Sequence, residues 1–406
     1  MKLRQEPGDF IVREEADFEP DPEGGFFVYR LHKRGLSTIE VLDQLARKLR
    51  VHRHTLSASG LKDKYATTSQ LIAAPVEIPA GLKSDHYELE FLGRSRHHLT
   101  ASAIKKNHFE IVARDLDTEQ VAAAKAAQAD LDRFGLPNYF DSQRFGGLTV
   151  GRGFVAEALV RGDFEGALKR HLAVPYRKEA RRPKEAKRAI ASRWGDWRGL
   201  LRQIPRGPEY FLVEHLARNP GDFQGAFHRI PQHLRVLYLA SFQSYFWNLT
   251  ASALVRDVVS EADQVRISSR MGWLRCYRQL GAAVRSDLEQ LAAPRPHPSL
   301  AAPAAPGLRG RWIALLQEVL ARHDLQLEDF HIREPTRTQF QALDRSFLLR
   351  PEALLIDGPM IDRHHPARLA LRFRFALPRG SYGTLIVKRL LASAGAEADA
   401  VEAPEP

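Results

Sequence analysis

One aspartate lies in a short segment whose neighbours suit catalysis. Asp63 stands between Lys62 and Lys64 in the run SGLKDKYATTSQ, Ser59 to Gln70. Gly60 lets the backbone approach a ligand closely, and the flanking cations favour an ionised carboxylate. Such a carboxylate is a nucleophile that needs neither a metal nor a cofactor. A turn aspartate also commonly hydrogen-bonds its own backbone, so this segment alone leaves a structural role open.

A second segment, NYFDSQRFG from Asn138 to Gly146, combines aromatic rings with polar side chains. The rings offer planar surfaces for bases, Asn138 and Gln143 can read base edges, and Arg144 can bind a phosphate or a carboxylate. The alternative is a buried strand, because aromatics two residues apart line one face. Enzymes that alter a base must extract it, and stacking contributes roughly 1–3 kcal/mol per base. Together the two segments predict a carboxylate acting on a stacked nucleobase.

The charge of the chain agrees with a nucleic-acid partner. Its 406 residues carry a formal net charge of +11 and give a pI of about 9.8. A basic surface attracts a polyanion, although basic proteins without any nucleic-acid role also occur. With 44% apolar and 27% charged residues the chain is globular, and its length predicts two or three domains.

A strongly basic run extends from Arg177 to Arg193 and contains eight Lys or Arg residues but only Glu179 and Glu185 as acids. Such a run is often a solvated helix face, and contact with an RNA backbone is the other interpretation.

Several protein classes are disfavoured. No apolar run approaches the roughly 20 residues that a membrane-spanning helix needs, and no signal peptide is recognisable. The single cysteine, Cys276, excludes a disulfide framework, and no His-Glu-x-x-His pattern indicates a metal. We therefore predict a soluble cytoplasmic protein with no metal or cofactor and no membrane association, and nothing indicates an obligatory protein partner.

Hydrophobic periodicity predicts a mixed α+β chain. A capping box at Ser37 and Glu40 should begin one helix, and Gly135 should end another. The Pro- and Ala-rich stretch from Ala292 to Pro306 is typical of a surface loop, and the acidic tail 394–406 predicts disorder. Predicted strands include Phe10 to Val12, Phe26 to Leu31, Tyr87 to Phe91, Phe109 to Ala113 and Leu371 to Phe375.

Four ordered motifs resemble those of the TruD family of tRNA pseudouridine synthases. They are Pro7-x-Asp9-Phe10-x-Val12-x-Glu14, Gly60-x-Lys62-Asp63 with Ala66, Thr68 and Gln70, the string Asn138 to Gly146, and Leu377-Pro-Arg-Gly-Ser-Tyr382-Gly-Thr384. Together they span nearly the whole chain.

The resemblance implies isomerisation of uridine to pseudouridine in tRNA, at uridine 13 of the D-arm as in bacterial members. Asp63 would be the nucleophile, Phe140 would stack on the flipped base, and Asn138 would position the loop or the aspartate. A family lysine thought to pair with the aspartate is replaced by Arg4, and Asp141 stands where a small residue is usual. Predicted substrate-binding residues are Arg4, Phe10, Asn138, Phe140, Arg144 and Tyr382; predicted RNA-backbone contacts are Lys62, Lys64, Arg177, Lys178, Arg181 and Arg182.

The resemblance also implies an α+β architecture. A catalytic domain with a mixed or antiparallel sheet, residues 1–153 and 341–393, would be interrupted by an inserted α/β domain, 154–340, and followed by the tail. Two rival functions stay open at this point. A non-catalytic RNA-binding protein would tolerate Asp63→Asn, and a carboxylate nuclease would need clustered acids and Mg²⁺.

Overall fold

A computed structural model describes residues 1–80, 82, 84–145, 153–176, 179–301, 306–332 and 338–392. The chain divides into two compact units, one formed by Met1–Leu136 with residues 349–392, the other by Pro137–Leu348. Both predicted boundaries of the insertion, 154 and 340, lie inside the second unit. The tail predicted to be disordered, 394–406, lies outside the described residues.

The mixture of strands and helices confirms the predicted α+β class. The strands are β1 Lys2–Leu3, β2 Phe10–Ala16, β3 Phe26–Arg34, β4 Ser57–Ala58, β5 Thr67–Ala74, β6 Tyr87–Ser95, β7 Ile104–Leu116, β8 Leu136–Pro137, β9 Gln264–Ser269, β10 Gly272–Tyr277, β11 Ala292–Pro294, β12 Asp344–Ser346, β13 Leu348–Leu349, β14 Glu352–Ile361 and β15 Leu369–Pro378. The helices are α1 Thr38–Leu49, α2 Thr118–Phe134, α3 Val155–Val160, α4 Phe164–Leu172, α5 Arg181–Ser192, α6 Trp197–Leu200, α7 Pro208–Arg218, α8 Phe223–His228, α9 Gln232–Val258, α10 Ala282–Gln290, α11 Gly307–Ala321 and α12 Gly383–Leu391.

The first unit is built on a nine-stranded mixed sheet in the order β14-β15-β7-β2-β5-β3-β6, with β1 paired to β7 and β4 to β5. The pairing of β2 with β5 is parallel, and the other pairings are antiparallel. Because β4 and β5 are paired, the connection that carries Asp63 begins and ends at neighbouring strands of the same sheet.

Local sequence explains the helices of this unit. Ser37 accepts from the Glu40 N–H and the Glu40 carboxylate accepts from the Ser37 N–H, which confirms the capping box at the start of α1. Helix α2 ends at Gly135, whose φ of 66° lies in the left-handed region that glycine adopts without strain. A side chain at Gly135 would also meet the Leu349 carbonyl oxygen at 2.5 Å.

The predicted alternation in β15 is confirmed. Leu371, Phe373 and Phe375 are buried, while Arg372 and Arg374 are exposed on the opposite face. The sheet therefore has an apolar core face beneath a charged outer face.

The second unit is mainly helical. Its longest helix, α9, packs against α11 and β10, and its short sheets pair β9 with β10 and β11 with β12. The stretch from Ala292 to Pro306 is not simply a loop, because β11 pairs antiparallel with β12 about fifty residues away. Among the helices of the described chain, none has the length and apolar character that crossing a bilayer demands.

Candidate active site

Asp63 lies in the connection between β4 and β5, residues 59–66, here named the Asp63 loop. The Arg4 Nη1 donates to its Oδ2 at 2.6 Å, and the Lys64 backbone N–H donates to its Oδ1 at 2.8 Å. The side chains of Asp63 and Arg4 are 26% and 23% exposed. The carboxylate is thus fixed by donors on both oxygens and is still open to solvent, as a nucleophile requires.

Arg4 reaches Asp63 from a supported backbone conformation. Its φ of 66° is unusual for a residue with a side chain. The segment is held on both sides, by the pairing of β1 with β7 and by the ion pair of buried Asp9 with Arg114 at 2.6 Å. The Arg4 guanidinium also lies 4.1 Å above the ring of Phe10, which is 5% exposed. Phe10 was predicted to bind substrate, but its ring lies in the core and supports Arg4.

Lys62, predicted to contact an RNA backbone, points into the protein instead. Its Nζ lies 2.9 Å from Glu14 Oε2 and donates to Asn107 Oδ1 at 2.7 Å. The Lys62 and Glu14 side chains are 10% and 0% exposed, and the Ser59 hydroxyl donates to the other Glu14 oxygen. Lys62 points inward because a buried carboxylate needs a cation and hydrogen-bond donors close by.

A buried lysine holds the backbone of Asp63. Lys33 is 2% exposed, and its ammonium donates to the carbonyl oxygens of Leu36 and Asp63, each at 2.7 Å. Burial lowers the pKa of Lys33 to about 8. Asp63 is therefore anchored through its main chain as well as its carboxylate.

Two further polar residues fix the rest of the Asp63 loop. Thr38 Oγ1 accepts from the Lys62 backbone N–H at 2.8 Å, and Gln70 Nε2 donates to the Gly60 carbonyl at 2.5 Å. A Cβ on Gly60 would lie 2.9 Å from Ile104 Cδ1, so the Ile104 side chain would have to shift to make room for it. The loop is consequently rigid at several points along its length.

Lys64 differs from its neighbour because it is on the surface. Its side chain is 42% exposed and its Nζ lies 2.6 Å from Glu40 Oε1. The hydrogen bond from Lys64, together with the Ser37 N–H, lowers the pKa of Glu40 to about 2. Of the two lysines beside Asp63, Lys64 has the exposure that contact with RNA requires.

The aromatic string in the second unit is not a strand. After β8, residues 138–141 have no regular structure and Ser142–Phe145 form a 3₁₀ turn; Gly146 lies outside the described residues. Tyr139 and Phe145 are 0% and 1% exposed. The Tyr139 hydroxyl donates to the Arg275 carbonyl on β10 at 2.5 Å. These two rings are core residues of the second unit.

Arg345 organises Asn138 and Phe140. Its Nε donates to the Asn138 carbonyl and its Nη2 to Asn138 Oδ1, both at 2.6 Å. Its guanidinium carbon lies 4.1 Å from the centre of the Phe140 ring, which is 2% exposed and also meets Trp247 edge to face at 5.7 Å. Phe140 is thus a packed ring with a guanidinium against it.

Phe140 is surrounded by further polar contacts. Its N–H donates to Asn248 Oδ1 at 2.9 Å, and Asn248 Nδ2 donates to its carbonyl at 2.7 Å. The guanidinium carbons of Arg295 and Arg144 lie 4.9 and 5.4 Å from the ring centre, and Arg144 Nε donates to Ser244 Oγ at 3.1 Å. The surroundings of Phe140 are therefore strongly cationic.

The other predicted residues occupy varied positions. Tyr382 is half-buried and directly precedes α12, and Asp141 is 4% exposed, so it does not point outward. Arg181 begins α5, is 90% exposed and pairs with Glu185 at 2.7 Å. Arg182 is also exposed, whereas Arg177 and Lys178 lie outside the described residues.

The basic run is only partly a surface. Lys187 on α5 is 2% exposed, lies 2.7 Å from Glu179 and contacts the ring of Tyr176 at 4.1 Å. Within the described ranges, no group of three or more His, Cys, Asp or Glu side chains could hold a metal ion.

Comparisons with known proteins place the chain in a family. A sequence model described as tRNA pseudouridine synthase D (TruD) matches residues 1–390. The chain is 29% identical to "Probable tRNA pseudouridine synthase D 2" of Methanocaldococcus jannaschii, over 96% of this chain and 91% of that protein. It is 24% identical to "tRNA pseudouridine synthase D" of Aquifex aeolicus, over 97% and 98%.

A solved structure also matches. The crystal structure assigned to tRNA pseudouridine synthase D (TruD) of Methanosarcina mazei superposes with a TM-score of 0.66 at 27% identity, covering 96% of this chain and 93% of that one. The match of motifs, full-length sequence and fold leads to one conclusion. The chain belongs to the tRNA pseudouridine synthase D (TruD) family and is an isomerase of that family.

Proposed function

We propose that this enzyme converts uridine to pseudouridine in tRNA, at uridine 13 of the D-arm, with Asp63 as the nucleophile. The observation that carries the proposal is the fixed carboxylate of Asp63, held by Arg4 at 2.6 Å and by the Lys64 N–H at 2.8 Å in a loop anchored by buried side chains. Position 13 follows from the family resemblance.

The reaction balances without an oxidant or reductant. The N1–C1′ bond of uridine breaks, the base turns, and a C5–C1′ bond forms. A proton leaves C5 and N1 gains one, so the product is an isomer of the substrate. A carboxylate that bonds the reacting nucleoside and is later released allows these steps to occur in sequence.

The contacts of Asp63 suit this role. An ionised carboxylate has about four acceptor positions, and Arg4 and the Lys64 N–H engage one position on each oxygen. The Arg4 guanidinium stays charged throughout and stabilises the carboxylate again when it is released.

The resemblance assigns stacking of the extracted base to Phe140. In its present position the ring lies beneath the Arg345 guanidinium at 4.1 Å. Guanidinium planes stack on bases as aromatic rings do. Arg345 accordingly joins Phe140 among the residues that we propose to hold the base.

The test is pseudouridine mapping on unmodified tRNA transcripts incubated with wild type, Asp63→Asn and Asp43→Asn in excess chelator. Asp43 is an exposed acid paired with Arg53 on the surface of the first unit, so it controls for loss of one carboxylate. We expect wild type and Asp43→Asn to form pseudouridine at position 13, and Asp63→Asn to form none.

Each other outcome has a definite meaning. Pseudouridine formed by Asp63→Asn at the wild-type rate would remove Asp63 as the nucleophile. Pseudouridine at another position would correct the target. Tight tRNA binding by wild type with no product on any tRNA would favour a binding protein.

A further inference from the structure

The second unit contains a cationic pocket outside the aromatic string. The pocket has a volume of about 220 Å³ and lies between α9, β10 and the end of α11. Arg256, Arg275, Arg322 and His323 line one part of it, and no carboxylate is among the residues of its wall. The remaining wall is formed by Leu249, Ala253, Val319 and the hydroxyl-bearing Ser252.

The arginines of this pocket form no ion pair with an acidic side chain in the part of the chain that the structure describes. Neither Arg256 nor Arg322 forms a side-chain ion pair or hydrogen bond there, and Arg275 donates only to a neutral acceptor, Gln264 Oε1, at 2.8 Å. The acid next to Arg256 in sequence, Asp257, is bound at 2.6 Å by an arginine outside the pocket. Positive charge is thus concentrated here, and the nearby charges of Glu261 and Asp257 act on it without forming an ion pair with a pocket arginine.

The sheet adds to this concentration. In the β9–β10 hairpin, Arg275 lies directly opposite Arg266. Like charges directly opposite each other in an antiparallel pair destabilise the sheet. Burial lowers the pKa of Arg275, the nearby charges of Arg266 and Arg256 lower it further, and Tyr139 and Glu261 oppose them by raising it. An anion bound in the pocket would relieve this repulsion.

The pocket is joined to the aromatic string through β10. The Arg275 carbonyl accepts the Tyr139 hydroxyl at 2.5 Å, and the Arg275 N–H donates to Ser252 Oγ at 3.2 Å. Tyr139 is fully buried and directly precedes Phe140 in sequence. Its hydrogen bond therefore fixes the backbone of Arg275 relative to Phe140.

We propose that Arg256, Arg275 and Arg322 bind a backbone phosphate of the substrate RNA, at a nucleotide other than the target uridine. This inference rests on the proposed function, because it takes RNA as the substrate. A guanidinium matches phosphate with paired N–H donors, and the apolar wall suits the adjoining sugar.

The test compares Arg256→Ser/Arg322→Ser with wild type in the binding of unmodified tRNA across a range of salt concentrations. Both residues are exposed, and neither side chain forms a hydrogen bond or an ion pair within the described chain. We expect affinity at low salt to fall about tenfold or more, and the slope of log K against log salt to decrease by about one to two. The rate of pseudouridine formation at saturating tRNA should stay within about twofold of wild type.

The matched control is Arg198→Ser/Arg202→Ser, which removes the same charge from exposed positions of the same unit that do not line the pocket. An equal loss of affinity in this control, or wild-type affinity and slope in the pocket variant, would overturn the proposal. Millimolar inorganic phosphate is also tested for raising the melting temperature of the wild type. If the pocket variant loses this stabilisation but keeps wild-type tRNA affinity, the pocket is a site for small anions and the proposal is overturned. Failure of the proposed function is seen separately, as absence of pseudouridine with the wild type.

Discussion

Lys62→Met should destabilise the first unit by about 3–5 kcal/mol without changing the salt dependence of tRNA binding. Methionine keeps the apolar stem and removes the ammonium that lies 2.9 Å from Glu14 Oε2. Because the Glu14 side chain is 0% exposed, its carboxylate would stay buried without a cation. The Ser59 hydroxyl and the Leu71 N–H at 3.4 Å would be its remaining donors.

A second substitution measures how much of the stability lost in Lys62→Met comes from the unpaired Glu14 carboxylate. Lys62 is 10% exposed, so water can replace part of its interaction and the loss should fall toward the lower end of that range. Glu14→Gln in the Lys62→Met background removes the orphaned charge. The double variant should therefore be more stable than the sum of the single losses predicts, by about 1–3 kcal/mol.

The assay must report on the correct unit. All five tryptophans, at positions 194, 197, 247, 273 and 312, belong to the second unit, so tryptophan fluorescence does not follow the first. Hydrogen exchange of peptides from β2 and β5, combined with urea unfolding by circular dichroism, measures the loss directly.

The control is Lys64→Met. Lys64 is 42% exposed and its surface pair with Glu40 should contribute about 1 kcal/mol or less, whereas its loss should reduce the salt slope of tRNA binding by about one. If Lys62→Met leaves exchange and unfolding unchanged and instead lowers the salt slope, the reasoning is refuted and Lys62 contacts RNA.

Three other predictions concern His171, Arg345 and Lys33. Burial lowers the pKa of His171 to about 4, so the folded chain resists a proton that the unfolded chain accepts near pH 6.5. The free energy of unfolding should therefore fall by about 3 kcal/mol as the pH drops from 6.5 to 4. An NMR titration that shows a charged His171 ring at about pH 5.5 would contradict this. Arg345→Lys should lose the paired 2.6 Å bonds to Asn138 and lower kcat about tenfold or more while tRNA affinity is kept, and a loss confined to affinity would argue against a positioning role. Lys33→Met should lower kcat more than it raises KM, because the 2.7 Å bond to the Asp63 carbonyl is lost; single-turnover rates equal to wild type would rule this out.

The sequence predicted the local elements of the first unit because their signals are local. The capping box at Ser37 and Glu40, the stop at Gly135 and the alternation of β15 each depend on residues within one helix turn or one strand. Family motifs also located Asp63 and Arg4, which the structure joins at 2.6 Å.

The residues that hold the Asp63 loop could not be found in the same way. Lys33, Thr38 and Asn107 act from 24 to 45 residues away, and nothing near them in sequence distinguishes them from surface polar residues. Arg345 contacts Asn138 across 207 residues. The sequence predicts RNA contact for Lys62, because a lysine beside a candidate nucleophile suits RNA as well as it suits a buried carboxylate. Only the burial of the side chain distinguishes these two interpretations.

The position of β7 within the sheet has a consequence for synthesis on the ribosome. One side of β7 pairs with β2, but its other side pairs with β15, which begins at Leu369. Between the end of β7 at Leu116 and that point, the ribosome must add the whole second unit, which at roughly 5–20 residues per second takes on the order of 10–50 s. During that interval the nascent chain exposes the edge of β7 that β15 later covers, from Lys106 to Leu116, and such an unpaired edge recruits other strands into aggregates. A chaperone that shields this edge of β7 should therefore raise the yield of folded protein.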